Sequence, residues 1–217
     1  MVQTGQAGRT VILKKAAEKG DEMNEMRAVG LDIGTTCEGG KMTTVTIDGT
    51  AIQEMVHTGL GFSAEKATLP GAEEARHAIA GGNCIACEYL RYGLSKEIGQ
   101  YLGQIDTSVQ AVYAFEPEYA AGALHLDSTG PGVDGGINLI VAVDRKNHAL
   151  DSIVASLEDS MKEGVQSLLC AKANGSCYAM DVKIVDGEEL ASRRGYGALV
   201  TSLHAPPIRL WTRDDLA

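Results

Sequence analysis

Aromatic residues are scarce in this chain, at 5% of 217 residues, and they include only two phenylalanines and one tryptophan. The core must therefore be built from Ala, Val, Ile, Leu and Met. No run approaches the ~20 apolar residues that a membrane-crossing helix requires, so no membrane partner is expected. Positive charge is also in short supply. Nineteen Lys and Arg face 29 Asp and Glu, a formal charge of -10, which argues against nucleic acid and against an anionic membrane surface as partners. The basic residues do not cluster, apart from Arg193-Arg194 and the Arg209/Arg213 pair. Lys14-Lys15 is not followed by an apolar segment, so no secretory signal is expected and the cytoplasm is the expected location. Five cysteines, an odd number without an export signal, argue against a disulfide framework and read as free thiols unless their positions converge. Two common catalytic signatures are missing: the Gly-x-Ser-x-Gly nucleophile elbow and the Gly-x-x-x-x-Gly-Lys-Ser/Thr phosphate loop.

What is present is ordinary for a soluble globular protein: 44% hydrophobic and 22% charged residues. The length suits one large domain or two small ones, enough to bury roughly 70% of the unfolded surface without a metal or disulfide. Glycine is plentiful, with 26 residues, which points to tight turns or close backbone approaches.

Residues 1–25 read as a polar arm. Arg27–Ile33 and Met42–Ile47 read as strands, with Cys37-Glu38-Gly39-Gly40 as a hairpin loop between them and Asp48-Gly49 as a turn. Residues 58–71 read as loop. A helix is predicted from Gly71-Ala72-Glu73-Glu74, interrupted at Gly81-Gly82-Asn83, with Asn83 capping a second segment that runs to about Leu102. Val109–Phe115 reads as a strand, and the Gly-rich residues 122–136 as a connection between a first half (26–121) and a second half (137–217). The second half opens with Ile137–Val143, a near-continuous apolar strand of the kind buried on both faces. A strong amphipathic helix follows, with Leu150, Ile153, Val154, Leu157, Met161, Val165, Leu168 and Leu169 on one face and Asn174-Gly175 as its stop. Tyr178–Val185 reads as a strand that places Met180, Val182 and Ile184 inward, closed by Asp186-Gly187. Ala198–Leu203 and Ile208–Trp211 read as one or two more. The expected fold is α/β, a mixed sheet with helices packed on it, in two halves of similar strand-helix-strand order.

The most informative segment is Ala28-Val29-Gly30-Leu31-Asp32-Ile33-Gly34-Thr35-Thr36, an apolar run that ends in an aspartate and turns through glycine and two hydroxyls. Such a turn brings a carboxylate and exposed backbone donors to one point, where an anion and its magnesium can sit. The Asp32-Ile33-Gly34-Thr35-Thr36 stretch resembles the first phosphate loop of the actin, sugar kinase and chaperone ATPase superfamily. The resemblance implies that Asp32 positions a hydrated magnesium ion while Gly34, Thr35 and Thr36 wrap phosphate, with Lys41 at the start of the return strand. It also implies a second loop of the Asp-Gly-Gly type, for which Asp134-Gly135-Gly136 is the candidate. An ordinary glycine turn with locally bonded threonines remains the alternative.

Cys84-Ile85-Ala86-Cys87 at a helix start suits a redox pair, or half of a zinc or iron–sulfur site completed by Cys170 and Cys177. The same cysteines also suit an apolar core role. The five histidines form no HxH or HxxxH pair. His125 and Asp127 alternate in the Gly-rich segment, which suits an oriented general base, a metal pair or plain surface residues. Arg193-Arg194, followed by Gly195-Tyr196-Gly197, suits an anion clamp or a solvated turn between strands. The phosphate-loop segment makes a phosphate- or nucleotide-binding enzyme subunit using magnesium and ATP, in a homo-oligomer, the leading expectation. The alternatives are a non-catalytic subunit of a symmetric assembly and a Cys-ligated metal protein.

Overall fold

The computed structural model describes residues 47, 49–116, 136–169, 179–204 and 206–213. Their centre is β2 (Ile137–Val143), whose seven residues are all buried. Alternation along a strand sends its side chains to opposite faces. Ile137, Leu139, Val141 and Val143 join the larger core, and Ile140 and Ala142 join the smaller one. A strand in this position needs an apolar residue at almost every step, which accounts for the uninterrupted run in the sequence.

Four strands form one sheet in the order β3-β2-β1-β4. β1 (Val109–Ala114) runs antiparallel to β2 on one side and to β4 (Ile208–Thr212) on the other. β3 (Met180–Asp186) runs parallel to β2, with Ile137 opposite Met180. A parallel pair needs a long crossover. Here it contains α4 (His148–Leu169), whose Leu150, Ile153, Val154, Leu157, Met161 and Val165 are buried as its sequence periodicity predicts. Asn147 starts this helix: its side-chain oxygen accepts the Leu150 N–H at 2.7 Å, while its amide group reaches Ser108 Oγ and Asp106 in the turn before β1.

Beside α4, the face of the larger core is covered by α1 (Gly49–Lys66), α2 (Ala72–Ala80) and α3 (Cys84–Ile105). Asn83 caps α3 as expected, accepting the Ala86 N–H at 3.1 Å. The opposite face carries two short helices, α5 (Gly187–Ser192) and α6 (Gly195–Val200), which contribute Leu190, Tyr196, Leu199 and Val200. Asp186 ends β3 and caps α5 in one step: it accepts the Glu188 and Glu189 N–H groups, and Glu189 reaches back to the Asp186 N–H. The chain is therefore an α/β protein with a mixed sheet and helices on both faces. No described helix is long and apolar enough to cross a membrane.

Four expectations are corrected. Most of residues 58–71 is helix, because α1 continues to Lys66, and Gly49 is its first residue and not part of a turn. Gly59, within that segment, is held against α3, where a Cβ would lie 3.1 Å from Leu90 Cδ1. Ala198–Leu203 is not a strand; its first residues belong to α6, whose Leu199 packs under the sheet. Arg193-Arg194 consequently turns between two helices and not between strands. The strands expected between Arg27 and Ile47 lie outside the described residues apart from Ile47, which is buried. The proposed helix stop at Asn174-Gly175 also lies outside them.

Arg213 ties the last strand to the rest. Its guanidinium donates to the carbonyls of Gly103, Asp106 and Val109, at the C-terminal end of α3 and the start of β1. A cation there also meets the negative end of the helix. Trp211 lies beside this arginine and packs over Gly103. A Cβ on Gly103 would overlap the indole ring, whereas one on Gly61, on the outer side of α1, would meet nothing. Gly103→Ala is therefore expected to lower the thermal midpoint by roughly 3–8 °C through overpacking. Gly61→Ala is expected to raise it by about 1–3 °C through helix propensity. Differential scanning calorimetry of the two variants checks both signs.

Candidate functional site

A cleft of about 630 Å³ opens at the end of the sheet where β1 finishes and β2 begins. That volume lies in the range of small-molecule sites. The strands contribute Ala114, Phe115 and Glu116 from the end of β1, Gly136 and Asn138 from the start of β2, and Ile208 from β4. α1 contributes Phe62 and Lys66, and α3 contributes Glu88, Tyr89, Arg91, Tyr92 and Ser95.

The helical wall is set by a glycine contact. Gly93 of α3 lies against Gly59 of α1, so closely that a Cβ on Gly93 would come within 3.1 Å of the Gly59 Cα. A buried bond from Ser63 Oγ to the Ala86 carbonyl, 2.8 Å long, fixes the same two helices one turn further on. This approach brings Phe62 to Tyr92, with ring centroids 5.6 Å apart, and to Tyr89, at 6.4 Å and nearly edge-on. On the strand side, Phe115 packs on Tyr196 at 5.4 Å, and its N–H donates to the Asn138 carbonyl at 3.1 Å.

Two cations and two carboxylates complete the lining. Lys66 is paired with Glu65 at 2.9 Å and stands over the Phe62 ring at 5.6 Å. Its hydrogen bond to Glu65 raises its pKa. Arg91 is half-buried and has no ion-pair partner among the described residues. Glu88 and Glu116 are exposed at the rim. The cleft thus combines aromatic side chains with charges of both signs.

Of the residues expected from sequence to carry chemistry, the cleft contains Gly136, the last residue of Asp134-Gly135-Gly136. Asp32, Gly34, Thr35, Thr36, Lys41, His125, Asp127, Asp134, Gly135, Cys170 and Cys177 lie outside the described residues. Arg193 and Arg194 are exposed on the α5–α6 turn and do not line the cleft. Arg193 holds a left-handed conformation, φ 51°, as the C-cap of α5. Cys84 is exposed, while Cys87 packs against the larger core. Among the described residues no group of three or more His, Cys, Asp or Glu is arranged to hold a metal.

Phe62, Tyr89, Arg91, Tyr92 and Phe115 escaped the sequence reading. Phe62 lies in a segment whose composition suits a loop, and the others lie on elements whose pattern marks only scaffold. A signal was nevertheless available. The cleft contains both phenylalanines of the chain and two of its seven tyrosines, in a protein where aromatics are scarce.

Away from the cleft, Glu158 of α4 lies at the outer edge of β3. Burial raises its pKa first, and the negative charges of Asp181 and Asp159 add to the effect. The Val182 N–H and Lys183 pull it partly back. A carboxyl whose pKa is raised by folding favours the folded state below its ordinary value of 4.5, and that contribution is lost as pH rises through the raised value. At neutral pH the ionised Glu158 is therefore a cost. Glu158→Gln is expected to raise the thermal midpoint by about 1–3 °C near pH 7 and to leave it unchanged near pH 4, measured by calorimetry at both pH values.

The fold and the cleft define a class: an α/β protein with a four-stranded mixed sheet and a small-molecule-sized cleft at one end of it. No protein-family model, curated protein or solved structure matches the chain.

Proposed function

We propose that the protein binds a phosphate-bearing small molecule with magnesium in the cleft between α1, α3 and the β1–β2 end of the sheet, as a phosphate- or nucleotide-binding α/β subunit. The observation that carries this reading is Arg91, a half-buried arginine without a carboxylate partner among the described residues, lining the same cleft as Gly136. A guanidinium offers two parallel donors to a phosphate, a match that an ammonium does not reproduce.

The balance of charge suits a magnesium complex better than a bare anion. Lys66 and Arg91 are offset in number by Glu88 and Glu116. A phosphate group brought in alone would meet repulsion from the two glutamates, whereas a magnesium–phosphate complex brings its own countercharge. Magnesium prefers carboxylate and phosphate oxygens together and keeps several waters, which fits exposed glutamates at a rim. It would draw charge from the phosphate oxygens. Asp32, with Gly34, Thr35 and Thr36, is the sequence's candidate for the remaining magnesium and phosphate contacts.

Isothermal titration with ATP and magnesium tests the reading. Saturable binding is expected, weakened about 10- to 100-fold in Arg91→Ala, the range for losing a charged hydrogen bond. Asp32→Asn is expected to weaken it as well. Absence of binding at about millimolar nucleotide, or full affinity in Arg91→Ala, overturns the assignment.

A further inference from the structure

We infer that the ligand of this cleft carries a flat aromatic ring stacked on the wall formed by Phe62, Tyr89 and Tyr92, which makes a nucleotide its substrate class in preference to inorganic phosphate or a sugar phosphate. The inference rests on the reading of the cleft as a phosphate-ligand site and adds the other half of the ligand.

The chain places its few aromatic rings unevenly. Folding normally draws such side chains into the core, because each removes a large apolar area from water. Among the described residues the larger core is almost entirely aliphatic, with Tyr101 as its one buried aromatic residue. Phe62, Tyr89 and Tyr92 are each only half-buried, and all three line the same cleft. Phe62 meets Tyr89 close to edge-on, at 77°, and meets Tyr92 at a tilt of 34°. The rings therefore spread along one side of the cleft, with the Lys66 ammonium over the Phe62 ring.

Such a wall matches a nucleobase. Base–aromatic stacking depends on a π-face that every base has and that a sugar phosphate lacks. Arg91 lies between Tyr89 and Tyr92 in sequence and lines the same cleft, so the charged and stacking contacts fall within one turn of α3. A molecule with a ring at one end and phosphate at the other satisfies both.

The test compares three probes in the presence of magnesium: ATP, adenosine and inorganic tripolyphosphate. They are titrated into the full chain and into Phe62→Leu and Tyr92→Leu, each checked for folding by its thermal midpoint. The expected result is that ATP binds more tightly than tripolyphosphate and loses about tenfold or more in each variant, while tripolyphosphate binding does not change. Equal affinity for ATP and tripolyphosphate, insensitive to both substitutions, overturns the stacking wall and leaves the phosphate reading standing. Binding of adenosine that is lost in both variants, with no binding of tripolyphosphate, supports the wall and overturns the phosphate reading. Absence of binding by all three overturns both.

Discussion

The architecture depends on one constraint: β2 is apolar on both faces and must be covered on both. Its sequence, Ile-Asn-Leu-Ile-Val-Ala-Val, leaves no face fit for water. Burial of this strand draws α1, α3 and α4 to one side and α5 with α6 to the other. The parallel pairing with β3 follows from the same need, because the crossover that joins the two strands supplies α4 as cover. Asn138 is the one polar side chain in the strand, and it lies where the cleft opens.

A second feature of the molecule is the use of glycine inside helices. Each such glycine costs up to about 1 kcal/mol of helix propensity relative to alanine. At Gly59 and Gly93 that cost is offset by the close approach of α1 to α3, and at Gly103 by the seating of Trp211. These contacts hold a glycine-containing pair of helices closely together, because interiors pack at near-crystalline density and a missing methyl is filled by a neighbour. The consequence reaches the cleft. Phe62 stands next to Tyr89 and Tyr92 because the helices beneath it touch through glycine. The site is therefore positioned by packing contacts that themselves bear no chemistry.

Local patterns proved readable where one kind of physics governed the segment. Ile137–Val143 was legible because a doubly buried strand must be apolar throughout, and α4 because six aliphatic side chains recur at helical spacing. Asn83 was legible as a cap because a side-chain oxygen at that place satisfies a helix N–H. Residues 58–66 were not legible, since Gly59, Gly61 and Ser63 carry a turn composition that tertiary contact overrides. Ala198–Leu203 failed for a related reason: a short apolar run has no period long enough to separate strand from helix, and Leu199 is buried equally well by either. The candidate site divided in the same way. Gly136 was anticipated as part of an Asp-Gly-Gly segment, whereas Phe62, Arg91 and Phe115 come from three elements that only folding brings to one cleft.

By itself the sequence determined the acidic surface, the aliphatic core, the α/β class, and the strands and helices whose burial is written in their own periodicity. Those properties follow from composition and from spacing along the chain. The tertiary structure alone decided the order β3-β2-β1-β4, the continuation of α1 through its glycines, and the gathering of scarce aromatic rings with Arg91 into one cleft. The physical reason is distance along the chain. Phe62, Tyr92, Phe115 and Gly136 are separated by 20 residues or more at each step, and no local pattern records which of them will touch.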